Sequence, residues 1–181
     1  MDNSNNNQNS FWTFLWRINS AHMITYFIAG ILALYLFNYE ESFQQGGLAT
    51  LMKPTNSPWV MVGPSLQIFR GILFSLVLWP FKTVFLAEKA GWLKLWLLFL
   101  GLAILGTAGP TPGSFEGIIY TKFPVLDQII GLRETVFQTF LFSILVYYWY
   151  RYPKRIWTII SIILVVLIIL MSVAGLLTTM S

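Results

Sequence analysis

Four polar side chains stand out because they lie inside apolar stretches of the chain. Gln67 and Arg70 are three residues apart, and Glu134 and Gln138 are four apart, so each pair shares one face of a helix. A guanidinium keeps its proton in proteins and only donates hydrogen bonds, which suits it to carboxylate and phosphate groups. These residues are therefore suited to hold an anion or to form a buried ion pair.

Arg70 lies in an apolar stretch bounded by Trp59 and Trp79. The two tryptophans are about 20 residues apart, roughly the length of helix that crosses a bilayer, which puts Arg70 near the midplane. If the helix begins instead next to Pro64, Arg70 lies about 9 Å below its outer end. A charge at either depth costs at least about 2.5–3.5 kcal/mol, so we expect Arg70 to face protein or a wet cavity and to have a partner.

The composition predicts a membrane protein. Of the 181 residues, 56% are hydrophobic and only 10% are charged, whereas soluble domains contain about 25% charged residues. The formal charge of +4 arises from basic residues between the apolar stretches, a distribution that does not indicate nucleic-acid binding. Because there is no cysteine and His22 is the only histidine, thiolate sites and an all-histidine metal site are excluded within one chain. We predict no cofactor.

Five apolar stretches predict an all-α fold, a polytopic membrane helix bundle with about five transmembrane helices. The predicted spans are residues 19–37, 59–85, 91–107, 132–150 and 156–177. Pro80 should bend or end the second span near Lys82. Ala29 and Ala33 form a small-residue pair that favours close helix packing in the first span.

The spans are predicted to form a single transmembrane domain, residues 11–181, with an inward amphipathic helix over Phe11 to Trp16 as a possible addition. Residues 1–10 are rich in Asn and Ser and are predicted to form a disordered polar tail. The polar connection 40–56 has room for a short surface helix around Leu48 to Met52.

Residues 108–130 are the most irregular part of the chain. Three glycines and three prolines argue against one continuous helix, but the segment is rich in Ile, Phe, Tyr and Val. We therefore expect an ordered outer loop that caps the helix ends or partly re-enters the membrane. Ser114 should cap a turn that precedes Phe115 and Glu116.

The basic residues predict the orientation, because cytoplasmic loops carry the excess of Lys and Arg. The cytoplasmic set comprises Arg17, Lys82, Lys89, Lys94, Arg151, Lys154 and Arg155. The opposite side has Lys53 and Lys122 together with Glu40, Glu41, Glu116 and Asp127. This places the N-terminus in the cytoplasm and, after five spans, the C-terminus outside. The plasma or inner membrane is the predicted location.

In this topology the polar pairs meet in the outer half of the membrane. We predict an outward-facing pocket built from Gln67, Arg70, Glu134 and Gln138 and covered by the loop that contains Glu116. Glu134 and Glu116 are the nearest carboxylates for Arg70. The predicted occupant is a lipid headgroup, a small anion or a partner segment. The alternative is an Arg–Glu ion pair that only fixes helix register.

Catalytic chemistry has little support in the sequence. His22 is predicted at the cytoplasmic end of the first span, far from Arg70, as a hydrogen-bonded interfacial histidine. It would ligate haem or a metal only if a second chain supplied another ligand. Ser114 does not lie in a G-x-S-x-G turn and is predicted on the opposite side from His22, which argues against serine catalysis.

Three classes of function remain. We favour a non-enzymatic subunit or accessory protein, with the bilayer and a homo-oligomer or larger membrane complex as partners. A small oligomeric transporter or channel is the first alternative, although the chain has no internal repeat. A membrane enzyme acting on lipid or envelope substrates, with Glu116 or Glu134 as base, is the second. A continuous polar path would favour transport, and an enclosed pocket with water access would favour binding or catalysis.

Overall fold

The computed structural model describes residues 10–36, 53–54, 56–105 and 111–180. Regular structure in these residues is entirely helical, which confirms the predicted all-α bundle. The elements are α1 (Phe11–Leu36), α2 (Pro58–Leu78), α3 (Gly91–Leu105), α4 (Phe115–Tyr120), α5 (Val125–Arg151) and α6 (Arg155–Met180). Most of the predicted polar tail and the predicted surface helix of the 40–56 connection lie outside the described residues.

Four helices are long and apolar enough to cross a membrane: α1, α2 with its continuation to Phe81, α5 and α6. With 15 residues, α3 is also apolar but shorter, about 22 Å long, compared with about 30 Å of bilayer hydrocarbon. These helices indicate a protein embedded in a membrane.

The first helix begins eight residues earlier than predicted, at Phe11 instead of Asn19. The Phe11 to Trp16 segment is therefore the start of α1 and not a separate amphipathic helix. Of the four long apolar helices, α1 is the most buried, and it packs against α2, α5 and α6. Ala29 and Ala33 are both buried, as expected for a small-residue pair at a helix interface.

Long helices that follow one another along the chain run in opposite directions. The Trp79 ring lies 5.3 Å from the rings of Phe11 and Phe14, near the start of α1, whereas His22 further along α1 contacts Gln67 earlier in α2. Helices α1 and α2 are therefore antiparallel.

Contacts of the later helices complete the arrangement. Gly91 at the start of α3 lies next to Tyr147 near the end of α5, so α3 and α5 are antiparallel. Trp16 Nε1 donates to Ser161 Oγ at 3.1 Å, and Met23 and Ile24 pack against Val165 and Ile168. Because residue numbers rise together in α1 and α6, these two helices are parallel.

The bundle thus has two distinct ends. One end, called the basic end below, contains the start of α1, the α2–α3 connection and the α5–α6 connection. The other, called the capped end, contains residues 111–124 with α4. A cluster of buried apolar residues fills the interior towards the basic end: Phe14, Ile18, Leu78, Leu86, Leu95 and Val146.

Pro80 ends α2 as predicted, and the chain turns back sharply at the basic end. The helix continues as a 3-10 turn over Trp79–Phe81 and a π turn over Thr83–Ala87. Tyr147 of α5 donates its hydroxyl to the Glu88 carbonyl oxygen at 3.1 Å, and Arg151 Nη1 donates to the same oxygen at 3.3 Å. These bonds join the α2–α3 connection to the end of α5.

At the capped end, residues 111–124 are ordered around the side chain of Gln128, which is 2% exposed. Gln128 Oε1 accepts from the Gly113 amide at 3.2 Å, and its Nε2 donates to the Phe123 carbonyl oxygen at 2.8 Å. Ser114 Oγ accepts from the Gly117 amide at 2.9 Å, which confirms the predicted cap. The expected ordered loop is therefore present over these residues, while residues 106–110 are not described.

Candidate functional site

A buried histidine occupies the centre of the bundle. His22 is 1% exposed, and its Nε2 lies 3.1 Å from Gln67 Oε1. A carbonyl oxygen only accepts, so with this amide orientation Nε2 carries the hydrogen. The edge-on ring of Phe74 lies 4.8 Å from the His22 ring and that of Phe142 lies 5.9 Å away. His22 is thus held by α2 and α5 together.

Arg70 lies beside this histidine on the outer surface of α2. It is 12 residues after Pro58 and 11 residues before Phe81, which places its Cα about 16–18 Å from either end of the helix. This agrees with the deeper of the two predicted positions. Arg70 is exposed, contrary to the expectation that it faces the protein interior, and its guanidinium stands 5.5 Å from the centre of the Phe74 ring.

The structure brings three of the five predicted site residues to one region. Gln67 contacts His22 directly, and the charges of Arg70 and Glu134 both act on the Tyr26 hydroxyl. The two residues therefore lie in the same region of the bundle, one on α2 and the other on α5, with Tyr26 of α1 near both.

The other two predicted site residues are Gln138 and Glu116. Gln138 lies one helical turn beyond Glu134 in α5 and is partly buried. Glu116 lies in the first turn of α4 at the capped end, partly buried, where α4 contacts α3 and α5. Participation of all five residues in one ligand site remains a prediction.

An aromatic layer lies next to the polar residues, on the side of the basic end. Phe74, Phe99 and Phe142 pack against one another with ring centres 5.1–5.9 Å apart. His22 rests on two of these rings. Beyond the layer follow Leu78, Leu95 and the other members of the apolar cluster. The polar region is therefore closed on that side.

Asn19 is a further polar residue of α1 that sequence reasoning did not single out. Its side chain is 7% exposed and lies directly against Gly71 of α2. Among the described residues nothing donates a hydrogen bond to its Oδ1, a situation that costs about 1–3 kcal/mol for a buried acceptor. The absence of a side chain at Gly71 is what allows α1 and α2 to approach so closely at this point.

The predicted position of His22 was wrong. Because α1 begins at Phe11, His22 lies near the middle of the helix and beside Arg70, not at the cytoplasmic end and far from it. The signal for the earlier start is in the sequence: Phe11, Phe14 and Ile18 follow helical spacing and form the buried or half-buried face of the first turns.

The chemistry of this region is hydrogen bonding and charge. Arg70 supplies a permanent cation, Gln67 supplies an amide and Tyr26 supplies a hydroxyl. In the described part of the chain, no three His, Asp or Glu side chains lie close enough together to hold a metal ion. The arrangement can bind an anionic group by charge-assisted hydrogen bonds.

Comparison with known proteins gives no family for this chain. No protein-family model matches it, and no curated protein and no solved structure shows significant similarity to it. The functional assignment therefore rests on the arrangement of His22, Gln67, Arg70 and Tyr26.

Proposed function

We propose that this protein is a five-span integral membrane protein, a non-enzymatic subunit or accessory protein, that binds an anionic group at Arg70. In this proposal the N-terminus and the basic end are cytoplasmic, and the C-terminus lies outside. The single observation that carries the proposal is the position of the Arg70 guanidinium, exposed halfway along a membrane-length helix.

The exposed side chains beside Arg70 on the surface of α2 are apolar. Phe69 is 65% exposed and Leu73 is 61% exposed on the same surface of α2, and such side chains face lipid in a membrane helix. In the described part of the chain, no hydrogen-bond acceptor or carboxylate contacts the guanidinium. Because an isolated charge at this depth costs at least about 2.5–3.5 kcal/mol, an anionic group from outside the described chain is the expected partner.

Neighbouring side chains are suited to the same anion. The Tyr26 hydroxyl is within range of the Arg70 charge, and the Gln67 amide lies one turn away on the same helix. The Tyr26 hydroxyl can donate to an oxygen that Arg70 neutralises, and Gln67 Nε2, which donates to the Gly63 carbonyl oxygen at 3.5 Å, has a second hydrogen to donate. Glu134 lies near the same hydroxyl and adds a negative charge to the region, which favours a ligand whose anionic group sits on the Arg70 side.

The transporter and enzyme alternatives have less support. A transport path would have to pass the layer of Phe74, Phe99 and Phe142 and the apolar cluster beyond it. An enzyme would need a base close to a nucleophile or to a bound substrate, and Glu116 lies in α4 at the capped end, away from Arg70. Binding requires only the charge and the hydrogen-bond donors that are present.

Arg70→Leu is expected to weaken the binding of one anionic amphiphile per chain while leaving the ligand-free protein as stable as before or more stable. The reason is that leucine removes an uncompensated charge from the membrane interior. Dodecyl phosphate would be titrated into the full-length protein in a maltoside detergent and its adducts counted by native mass spectrometry. Loss of charge-assisted bonds of about 1.5–3 kcal/mol each should weaken binding at least about 10-fold.

Two controls accompany this experiment. Arg70→Lys keeps the charge and should retain part of the binding, whereas Arg133→Leu removes an arginine near the capped end and should leave binding within about twofold. If Arg70→Leu instead lowers the free energy of unfolding by about 3–5 kcal/mol, Arg70 is one half of a structural ion pair and the proposal is wrong. Equal dodecyl phosphate binding by wild type and Arg70→Leu would also contradict it.

A further inference from the structure

A second charged surface lies at the basic end, away from Arg70 and independent of it. Six basic side chains are exposed or half-exposed there: Lys82, Lys89, Lys94, Arg151, Lys154 and Arg155. Against these, the described residues of this end include one acidic side chain, Glu88, which forms an ion pair with Lys94. The basic end therefore carries a clear excess of positive charge.

The capped end has no such excess. Apart from Arg70, the described charged residues between the middle of the bundle and this end are three basic and three acidic: Lys53, Lys122 and Arg133 with Glu116, Asp127 and Glu134. The positive charge is thus concentrated at one end of the bundle, where the basic side chains can jointly attract a negatively charged surface.

Two of the cations at the basic end are held in place. Arg151 Nη1 donates to Tyr147 Oη at 2.7 Å and to the Glu88 carbonyl oxygen at 3.3 Å. Both bonds use Nη1, which leaves the rest of this exposed guanidinium for another acceptor. Lys82 Nζ stands 3.5 Å from the centre of the Trp79 ring, a cation–π contact that restrains the ammonium.

The aromatic residues around these cations indicate the depth of the surface in the membrane. Trp79 lies at the end of α2, and Tyr147 contacts Arg151 at the end of α5, where Tyr148 packs against Tyr147 and Tyr152. Trp and Tyr prefer the headgroup level of a bilayer because their rings are apolar and their polar atoms are not. This preference predicts that the restrained cations lie at the level of the lipid phosphates.

We infer that this basic surface binds the phosphate groups of anionic phospholipids in the leaflet that it faces. Arg151 and Lys82 act as positioned cations, and the other exposed basic side chains add attraction over a wider area. Each basic side chain near an anionic membrane surface should contribute about a fivefold gain in affinity. A phosphatidylglycerol-type headgroup supplies the phosphate without the cationic group that phosphatidylcholine carries.

The test uses the full-length protein in detergent with phosphatidylglycerol or phosphatidylcholine of identical acyl chains, and native mass spectrometry counts the bound lipids. The wild type should prefer phosphatidylglycerol about 10-fold or more. The triple variant Lys82→Gln/Lys89→Gln/Arg151→Gln should lose most of this preference. The matched triple Lys53→Gln/Lys122→Gln/Arg133→Gln removes the same number of charges from the capped end and should keep it.

Salt gives a second measurement that needs no variant. Raising the NaCl concentration to 1 M shortens the screening length to about 3 Å and should remove the preference in the wild type. Should the first triple variant fail to fold, this titration and the single variant Lys89→Gln, which alters an exposed side chain, decide the matter. Arg70→Leu should retain the preference, so the outcome separates this surface from the Arg70 site.

Three results would overturn the inference. The first is a phosphatidylglycerol preference that survives 1 M NaCl. The second is an equal loss of preference in both triple variants. The third is displacement of the lipid by millimolar inorganic phosphate, which would identify a site for a free anion and not for a lipid headgroup.

Discussion

Gly71→Ala is expected to lower the free energy of unfolding by about 1–3 kcal/mol, because it forces apart two helices that touch at their backbones. A Cβ at position 71 would overlap Asn19 Oδ1 and lie 2.8 Å from Asn19 Cα. The Cα cannot rotate away as a flexible side chain would, so α1 and α2 must separate. Unfolding by sodium dodecyl sulfate, followed by far-UV circular dichroism, measures the change.

Gly30→Ala is the matched control for this substitution. Gly30 also lies inside a long helix, but a Cβ there would meet nothing within 4 Å. Alanine should therefore leave stability unchanged or raise it by about 0.5–1 kcal/mol, the usual gain for Gly to Ala in a helix. If both variants are equally stable, the close approach of α1 and α2 at Asn19 is wrong.

Gln128→Ala is expected to cost about 2–4 kcal/mol and to loosen residues 111–124. The substitution leaves the Gly113 amide and the Phe123 carbonyl without their partner. Each buried polar group that loses its hydrogen bond in this way costs about 1–3 kcal/mol. Hydrogen exchange of the Gly113 amide should accelerate well beyond that of amides in the middle of α5. Mass spectrometry of the exchanged protein measures the exchange rates of the Gly113 region and of the middle of α5.

Two variants show whether the hydrogen bonds themselves are responsible. Gln128→Glu keeps the size of the side chain and an acceptor for Gly113, but its carboxylate cannot donate to Phe123, so it should be destabilised as well. Lys122→Ala changes an exposed neighbour and should stay within about 0.5 kcal/mol of wild type. Normal exchange in Gln128→Ala would mean that the loop is held by other contacts.

Helices with few polar residues were the easiest part of the fold to predict. The fifth span was predicted as 156–177 and α6 extends over Arg155–Met180, since an uninterrupted apolar run needs no partner to form a membrane helix. The third span was placed within two residues of α3 at both ends. Pro80 was correctly identified as the end of α2 because a proline cannot continue the hydrogen-bond ladder.

Helix starts rich in polar residues were predicted less well. The fourth span was predicted from Leu132, but α5 begins at Val125, immediately after Pro124. Gln128 makes this first part of the helix appear loop-like in sequence, although its amide is satisfied by contacts with residues 113–123. The start of α1 was also missed: Arg17 was assigned to the cytoplasmic side of the first span, but it lies inside the helix and is 8% exposed.

The candidate site was predictable only within each helix. The spacing of Gln67 and Arg70 correctly placed both on one part of α2, because helical periodicity is local. Their relation to His22 and Tyr26 depends on how α1 rotates against α2, and this rotation is set by contacts such as that of Asn19 with Gly71. Such a contact leaves no periodic signal in a single sequence.

The central position of α1 has a consequence for how the protein is made. Helix α1 precedes the others in the chain, so it leaves the ribosome before the segments that cover it. Gln67 follows later as the partner of His22, and Ser161, the partner of Trp16, is synthesised after all the other long helices. Until then the part of α1 that packs against α6 has only the insertion machinery or lipid as its neighbour. A nascent chain that stalls before α6 would therefore present an unfinished surface to the proteases that survey the membrane.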